Sequence, residues 1–274
     1  MSSKAKRILP GFGLSLGYTL VYLGALVLIP IAALVVRTLK VSPAEFWDLA
    51  TTPRALAAFR LTFSASLVAA LANSVMGTLL AWILTRYAFP GRRFLDALID
   101  FPFALPTAVA GLTLADMFAP NGWLGQFLVP LGIRGAYTPL GVTLALTFVG
   151  LPFVVRTLQP VLESLDRDVE EAAAVLGAGR WTTFRRVIAP LLLPPLLTGF
   201  ALSFARAIGE YGSVVFISGN LQGKTEIAPY LIFMRLEDYD YNGAMALAVI
   251  LLVSSFVLLG AINTLERWAG RFQD

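Results

Sequence analysis

Residues 11–36 read Gly-Phe-Gly-Leu-Ser-Leu-Gly-Tyr-Thr-Leu-Val-Tyr-Leu-Gly-Ala-Leu-Val-Leu-Ile-Pro-Ile-Ala-Ala-Leu-Val-Val, without a single charge between Lys4, Lys6 and Arg7 on one side and Arg37 on the other. About 20 such residues cross the hydrocarbon core of a bilayer as a helix. The run exceeds the roughly 7–15 apolar residues of a signal peptide, and no Ala-x-Ala cleavage site follows directly after it, so it reads as a retained helix. Five more runs follow: Leu61–Leu84, Leu98–Phe118 with Pro102 and Pro106, Tyr137–Val155, Leu191–Ile217 opening on Pro194-Pro195, and Gly243–Leu265. Prolines inside them are compatible with a bundle, where neighbouring helices re-satisfy freed backbone groups. Six runs of this length predict an all-α membrane protein of six transmembrane helices.

The composition agrees. Of 274 residues, 57% are apolar and 14% charged, against about 25% charged in a soluble domain. With no Cys and no His, the chain has no thiolate or imidazole for a metal site or a catalytic dyad on those residues. A net charge of +4, dispersed along the chain, does not mark a nucleic-acid binder. The six spans leave loops only, so residues 1–274 read as one transmembrane domain in a lipid bilayer, with no fused regulatory domain expected.

Cytoplasmic segments of membrane proteins are enriched in Lys and Arg. With the N-terminus inside, thirteen basic residues fall on inner segments and seven on outer ones, while Arg206 lies within a span. Both termini are therefore expected in the cytoplasm. The first outer segment, with Arg37, Lys40, Arg54 and Arg60, runs against the rule.

The longest inner connection runs from Arg156 to Pro190 and carries the functional signal. Asp168 and Glu171 have capping-box spacing, Glu170 and Glu171 suit a helix N-terminus, and Ala172–Ala174 have high helix propensity. Gly177 and Gly179 end that helix, and Thr182 is placed to cap a second short helix running to Pro190. The small Ala172 and Ala173 allow another protein's groove to approach the backbone. The expectation is a helical hairpin at about 160–190, on the cytoplasmic side.

The spacing Glu171-Ala172-Ala173-x3-Gly177-x9-Val187-x-Ala189-Pro190 resembles the EAA loop of bacterial ABC-importer permeases, with Val187 and Ala189 departing conservatively from the family's Ile and Leu. Further stretches are similar to the T-type permeases of sulfate/thiosulfate importers within the binding-protein-dependent inner membrane component family. They are Ala81–Arg92, Leu95–Leu114, Pro152–Pro160, Ala205–Asn220 and the opening Arg7-Ile-Leu-Pro-Gly-Phe. The resemblance implies a non-catalytic subunit of the bacterial inner membrane that binds no cofactor and meets ATP-Mg only through its ATPase. The implied partners are a W-type permease, two copies of the ATPase and a periplasmic sulfate-binding protein. Glu170, Glu171, Ala172, Ala173, Gly177 and Pro190 would then dock the ATPase and transmit its closure. The nearest alternatives are a permease for molybdate, tungstate or another oxyanion, and a carrier acting alone; the halves show no repeat of the kind many secondary carriers have.

Arg206 and Glu210 are an oppositely charged pair deep in a span, at the i, i+4 spacing that permits pairing, and Ser203 and Ser213 extend their stripe. Charged groups at that depth usually face a bundle interior or an aqueous path. The four residues are thus either part of the translocation path or a structural ion pair. Asp100 and Asp116 read as solvated or capping groups. Gly219-Asn-Leu-Gln-Gly223-Lys224-Thr225 resembles a phosphate-binding loop but has three residues between its glycines instead of four, so no ATP site is expected there. Residues 226–240 read as a short interfacial or re-entrant helix.

Overall fold

The computed structural model describes residues 12–165 and 167–270. Lys4, Lys6, Arg7, Arg271 and most of the opening Arg7–Phe12 stretch lie outside the described residues, as do the side chains of Arg167 and Arg267. Among the described residues, five helices are long and apolar enough to cross a membrane: α1 (Phe12–Thr38), α3 (Pro53–Arg86), α6 (Pro139–Ser164), α8 (Arg180–Ile208) and α11, whose spanning part is Tyr241–Leu265. Between them lie α2 (Pro43–Ala50), α4 (Arg92–Ile99), α5 (Thr107–Phe118), α7 (Arg167–Val175), α9 (Gly212–Ile217) and α10 (Ala228–Glu237).

Three helices start with one local device. Ser42, Thr52 and Thr138 each precede a proline, and each side-chain oxygen accepts a backbone N–H three residues on, from Glu45, Ala55 and Gly141. The hydroxyl satisfies an orphan donor, and proline at the first helical position loses no intrahelical bond. Prolines further inside meet a second device. A five-residue π turn at Gly24–Leu28 precedes Ile29-Pro30, and another at Phe184–Ile188 precedes Ala189-Pro190. Widening the helix just ahead of the ring relieves the clash that proline makes with the preceding turn.

The centre of the molecule is α3, α6 and α8 packed along one another, with α11 against α8. On α3, Ala69, Asn73, Gly77 and Ala81 are buried at four-residue intervals. Such small residues let helices approach closely in a bilayer, where van der Waals contact rather than water exclusion drives packing. At Gly150 of α6 a Cβ would sit 2.4 Å from Ser203 Oγ and 2.6 Å from Asn73 Nδ2. The missing side chain makes room for Asn73 Nδ2 to donate to Ser203 Oγ at 3.1 Å, joining α3 to α8. By contrast, α1 has no buried residue within this chain.

The third apolar run is not a continuous span. It divides into the end of α4, a turn at Phe101–Ala104 and α5, whose twelve residues cover only about 18 Å. Leu105 is extended, as the residue before a proline prefers, and Pro106 precedes α5. Hydropathy measures composition, whereas these prolines interrupt the backbone ladder. The fifth run is likewise broken, at Gly209–Tyr211, with α9 then packing against α5. The fourth run extends beyond its expected end: α6 continues to Ser164, so Arg156 lies on a helix instead of in a loop. Arg54 and Arg60, read as loop residues, sit on the first turns of α3. Residues 226–240 do contain a helix, α10, with Ala228 and Leu231 buried against α3 and α11.

Candidate functional site

The hairpin between α6 and α8 forms as its sequence dictates at the first corner and departs from it at the second. Helix α7 begins at Arg167, so Asp168 lies in its first turn rather than ahead of it. It ends in a Schellman motif: Ala178 N–H donates to Ala173 O, Gly177 N–H donates to Ala174 O, and Gly177 takes φ +81°. The second helix starts at Arg180 with Gly179 as its cap, and Thr182 lies inside it. It does not stop at Pro190 but continues through the π turn into the membrane span. Pro190 occupies the opening of an α-helical stretch, where its missing N–H is tolerated.

Glu171, Ala172 and Gly177 are exposed, and Ala173 is half-buried. Beside them Val175, Leu176 and Trp181 are 86%, 87% and 71% exposed. Three large apolar side chains stand together on a loop otherwise rich in charge, which is the composition of a protein contact surface. Glu170 faces the other way. Its Oε1 lies 2.7 Å from Arg86 Nη2, in the last turn of α3. The Arg86 guanidinium lies 5.6 Å from the Trp82 ring centroid, Trp82 meets Phe184 edge-on, and Phe184 stacks on Trp181. Charge and ring contacts therefore connect α7, α3 and the start of α8.

A second network holds α4 at the same end of the bundle. Arg156 on α6 donates from Nε to Asp100 Oδ1 at 2.8 Å and from Nη2 to Asp100 Oδ2 at 2.6 Å. Its Nη1 reaches Asp96 Oδ1 at 2.7 Å, and Gln159 Nε2 donates to the same oxygen at 3.0 Å. The Gln159 N–H, against the opposing effect of burial, and the Arg156 guanidinium together hold the Asp96 carboxyl below its ordinary range. Asp100, expected to be solvated or a cap, keeps about half its side chain exposed and is also the bidentate partner of Arg156.

At the far end of α8, Arg206 Nη1 and Glu210 Oε2 form an ion pair. The break at Gly209 gives it a different setting from a continuous helix. Glu210 Oε1 accepts from Ser213 N and Ser213 Oγ, each at 2.9 Å, so the carboxylate also caps α9. Glu210 is 2% exposed, whereas the Arg206 side chain is 36% exposed. Ser203 and Ser213 are both fully buried. Ser203 faces Asn73, and Ser213 packs against α5, where a Cβ on Gly111 would strike its carbonyl. The structure thus brings Arg206, Glu210 and Ser213 together and turns Ser203 into the α3–α8 contact.

At the end of the bundle opposite the hairpin, Arg54 Nε and Nη2 donate to Glu226 Oε2 and Oε1 at 2.8 and 2.6 Å, and Glu226 is buried. The near-miss phosphate loop closes on itself. Leu221 O accepts the N–H groups of Lys224, Thr225 and Glu226, and Thr225 Oγ1 accepts from Leu221 N. Those four N–H groups are spent within the loop, whereas a phosphate-binding loop turns its N–H groups toward the ligand. None of the partners Arg86, Arg156, Asp96, Gln159, Asn73 or Glu226 was singled out by the sequence reading. The charged ones lie beside apolar runs, where a stray charge already calls for a partner.

Residues 73–271 match the sequence model of the binding-protein-dependent transport system inner membrane component. The chain is 51% identical over 271 residues to the sulfate transport system permease protein CysT of Salmonella typhimurium, covering 99% of this chain and 98% of that protein. It is 50% identical to the protein of the same name from Escherichia coli, covering 97% and 96%. A Synechocystis protein of that name is 51% identical, covering 93% and 90%. Among solved structures, a chain of a bacterial ABC transporter that imports alginate aligns with TM-score 0.77 at 16% identity, covering 93% of this chain and 94% of that one. A chain of an inward-facing methionine ABC transporter aligns with TM-score 0.59 at 17% identity, covering 84% and 99%.

Proposed function

Because the chain belongs to the binding-protein-dependent transport system inner membrane component family, we propose that it is the permease subunit of an ATP-driven importer for sulfate, extending to thiosulfate. It is a multi-pass membrane protein, and its orientation in this reading places the hairpin and both termini in the cytoplasm. ATP-Mg binds and is hydrolysed on a separate ATPase, present in two copies. A sister W-type permease completes the membrane unit, and a periplasmic binding protein delivers the anion. This chain carries no hydrolytic chemistry of its own.

The observation that carries the reading is the exposed hairpin, with Glu171, Ala172, Ala173 and Gly177 beside Val175, Leu176 and Trp181. Glu171 offers an anionic contact to the ATPase and the alanines permit close approach. The apolar side chains fill its cleft, as the buried anchors of a protein interface do. Arg86–Glu170 then ties the docked helix to α3, while the backbone runs without interruption from Arg180 into α8. Closure of the ATPases shifts both elements, and the bundle alternates between outward and inward openings.

The test is Glu171→Lys in the assembled importer. Stable insertion with loss of ATP-coupled sulfate uptake and of ATPase association supports the reading, whereas uptake that survives the substitution sinks it. Competition of sulfate with molybdate in the same vesicles separates the proposed substrate from other oxyanions.

A further inference from the structure

Four basic residues in the first outer segment, Arg37, Lys40, Arg54 and Arg60, run against the concentration of Lys and Arg on the cytoplasmic side. The structure accounts for one of them, because Arg54 is bidentate to buried Glu226. Arg60, two turns further along α3, has no ion-pair or hydrogen-bond partner for its guanidinium among the described residues, and the same holds for the Lys224 ammonium. Both line one open cleft of about 490 Å³, together with Ser64 and Gly223. A guanidinium two turns inside a spanning helix is costly if it faces hydrocarbon, so such groups face water or a counter-charge.

The walls of this cleft are firmly built. Its loop wall is pinned by the three N–H groups on Leu221 O and by Thr225 Oγ1, and the adjacent Glu226 is locked to Arg54. Ala228 N donates to Thr62 Oγ1 at 2.8 Å, fastening the start of α10 to α3 two residues before Ser64. These bonds occupy the N–H groups of Leu221, Lys224, Thr225 and Glu226 and the Glu226 carboxylate. The two cations are left uncompensated beside a hydroxyl.

Resting on the orientation and substrate proposed above, we infer that Arg60 and Lys224 form a reception site at the outer mouth for a soluble, doubly charged tetrahedral oxyanion handed over by the binding protein. Guanidinium and ammonium groups are the donors that such oxyanions bind. A concave, singly signed cleft concentrates counter-ions, commonly raising association tenfold or more. Glu226 sharpens the arrangement by neutralising Arg54 and leaving Arg60 and Lys224 free, so the site attracts without the third charge that would slow release.

Because the chain has no cysteine, Ser64→Cys places its one thiol in the cleft while keeping both cations. The assembled importer, in vesicles of zwitterionic lipid, is treated with anionic and cationic methanethiosulfonate reagents, and labelling of this chain is followed. Faster reaction with the anionic reagent by roughly tenfold, suppression of that reaction by sulfate beyond an equal ionic strength of chloride, and loss of both effects in Arg60→Gln/Lys224→Gln support the site. Equal reactivity of the two reagents overturns it. Protection that requires phosphatidylglycerol and ignores sulfate assigns the cations to lipid phosphate and overturns it. Protection by the unliganded binding protein without sulfate makes the cleft a protein contact and also overturns it. Should the wild-type vesicles transport no sulfate while sulfate still protects the thiol, the proposed substrate fails and the oxyanion site stands.

Discussion

Arg86 and Glu170 meet at 2.7 Å between Nη2 and Oε1, fastening the last turn of one spanning helix to the first turn of the hairpin helix α7. The pair is only partly buried, so its direct contribution to stability is about 0.2–1 kcal/mol. Its larger role is positional: it fixes where α7 lies relative to α3.

If position is what the pair supplies, Arg86→Glu and Glu170→Arg should each insert normally yet lower ATP-driven uptake by roughly fivefold or more. The exchanged pair, Arg86→Glu/Glu170→Arg, should recover part of it. Uptake and ATP hydrolysis measured in the same vesicles check this. Failure of the exchange to recover coupling would show that charge complementarity is not the link.

Gly150→Ala tests the packing where three helices meet. The added Cβ would lie 2.4 Å from Ser203 Oγ and 2.6 Å from Asn73 Nδ2, displacing the hydrogen bond between α3 and α8. Overpacking of this kind costs about 1–3 kcal/mol. A lower thermal midpoint of the purified complex is expected, and Gly150→Ala combined with Ser203→Ala should restore part of it.

Glu210 does two things and Arg206 one. Loss of the carboxylate leaves Ser213 N–H without its acceptor as well as breaking the ion pair. Unsatisfied buried donors cost about 1–3 kcal/mol, so Glu210→Ala should reduce assembled complex more than Arg206→Ala does. The order of folded yields, read by fluorescence-detected size exclusion, decides the matter. Normal assembly with lost uptake in Arg206→Ala would mark the guanidinium as part of the path.

The Asp96 network has a definite dependence on pH. Its folded carboxyl titrates below the ordinary value, about 3.9 in peptides. The stability it adds is therefore complete above that value and is lost only as pH falls through the lower folded value. Asp96→Asn should lower the thermal midpoint at neutral pH, and the difference from wild type should shrink only below about pH 4. A gap that closes between pH 8 and 5 would contradict the assignment.

The long helices were legible because some twenty uncharged residues in a row have few other uses, and the Glu171–Gly177 corner because capping and glycine rules are local. The breaks at Asp100–Pro106 and Gly209–Tyr211 were not, since apolar composition continues straight through them while the backbone ladder stops. The pairing of Arg206 with Glu210 was readable from spacing, but the capping role of Glu210 depends on the break. Arg156 with Asp100, Asn73 with Ser203 and Arg54 with Glu226 lie 56, 130 and 172 positions apart, where only the packed bundle brings them together.

The helix that leaves the hairpin is 29 residues long from Arg180 to Ile208, about 44 Å from end to end. Pro190, Pro194 and Pro195 remove donors from its first half, next to the widened turn at Phe184–Ile188. It is therefore a pole with one soft joint, set where the hairpin passes into the spanning segment. A pull below that joint swings the stiff remainder as one piece, and a tilt of about 5° would carry its tip some 2 Å over the ~20 Å that lie beyond the last proline. Arg206 rides at that tip, so a modest tug on the hairpin would be delivered as displacement at the place where the charge sits.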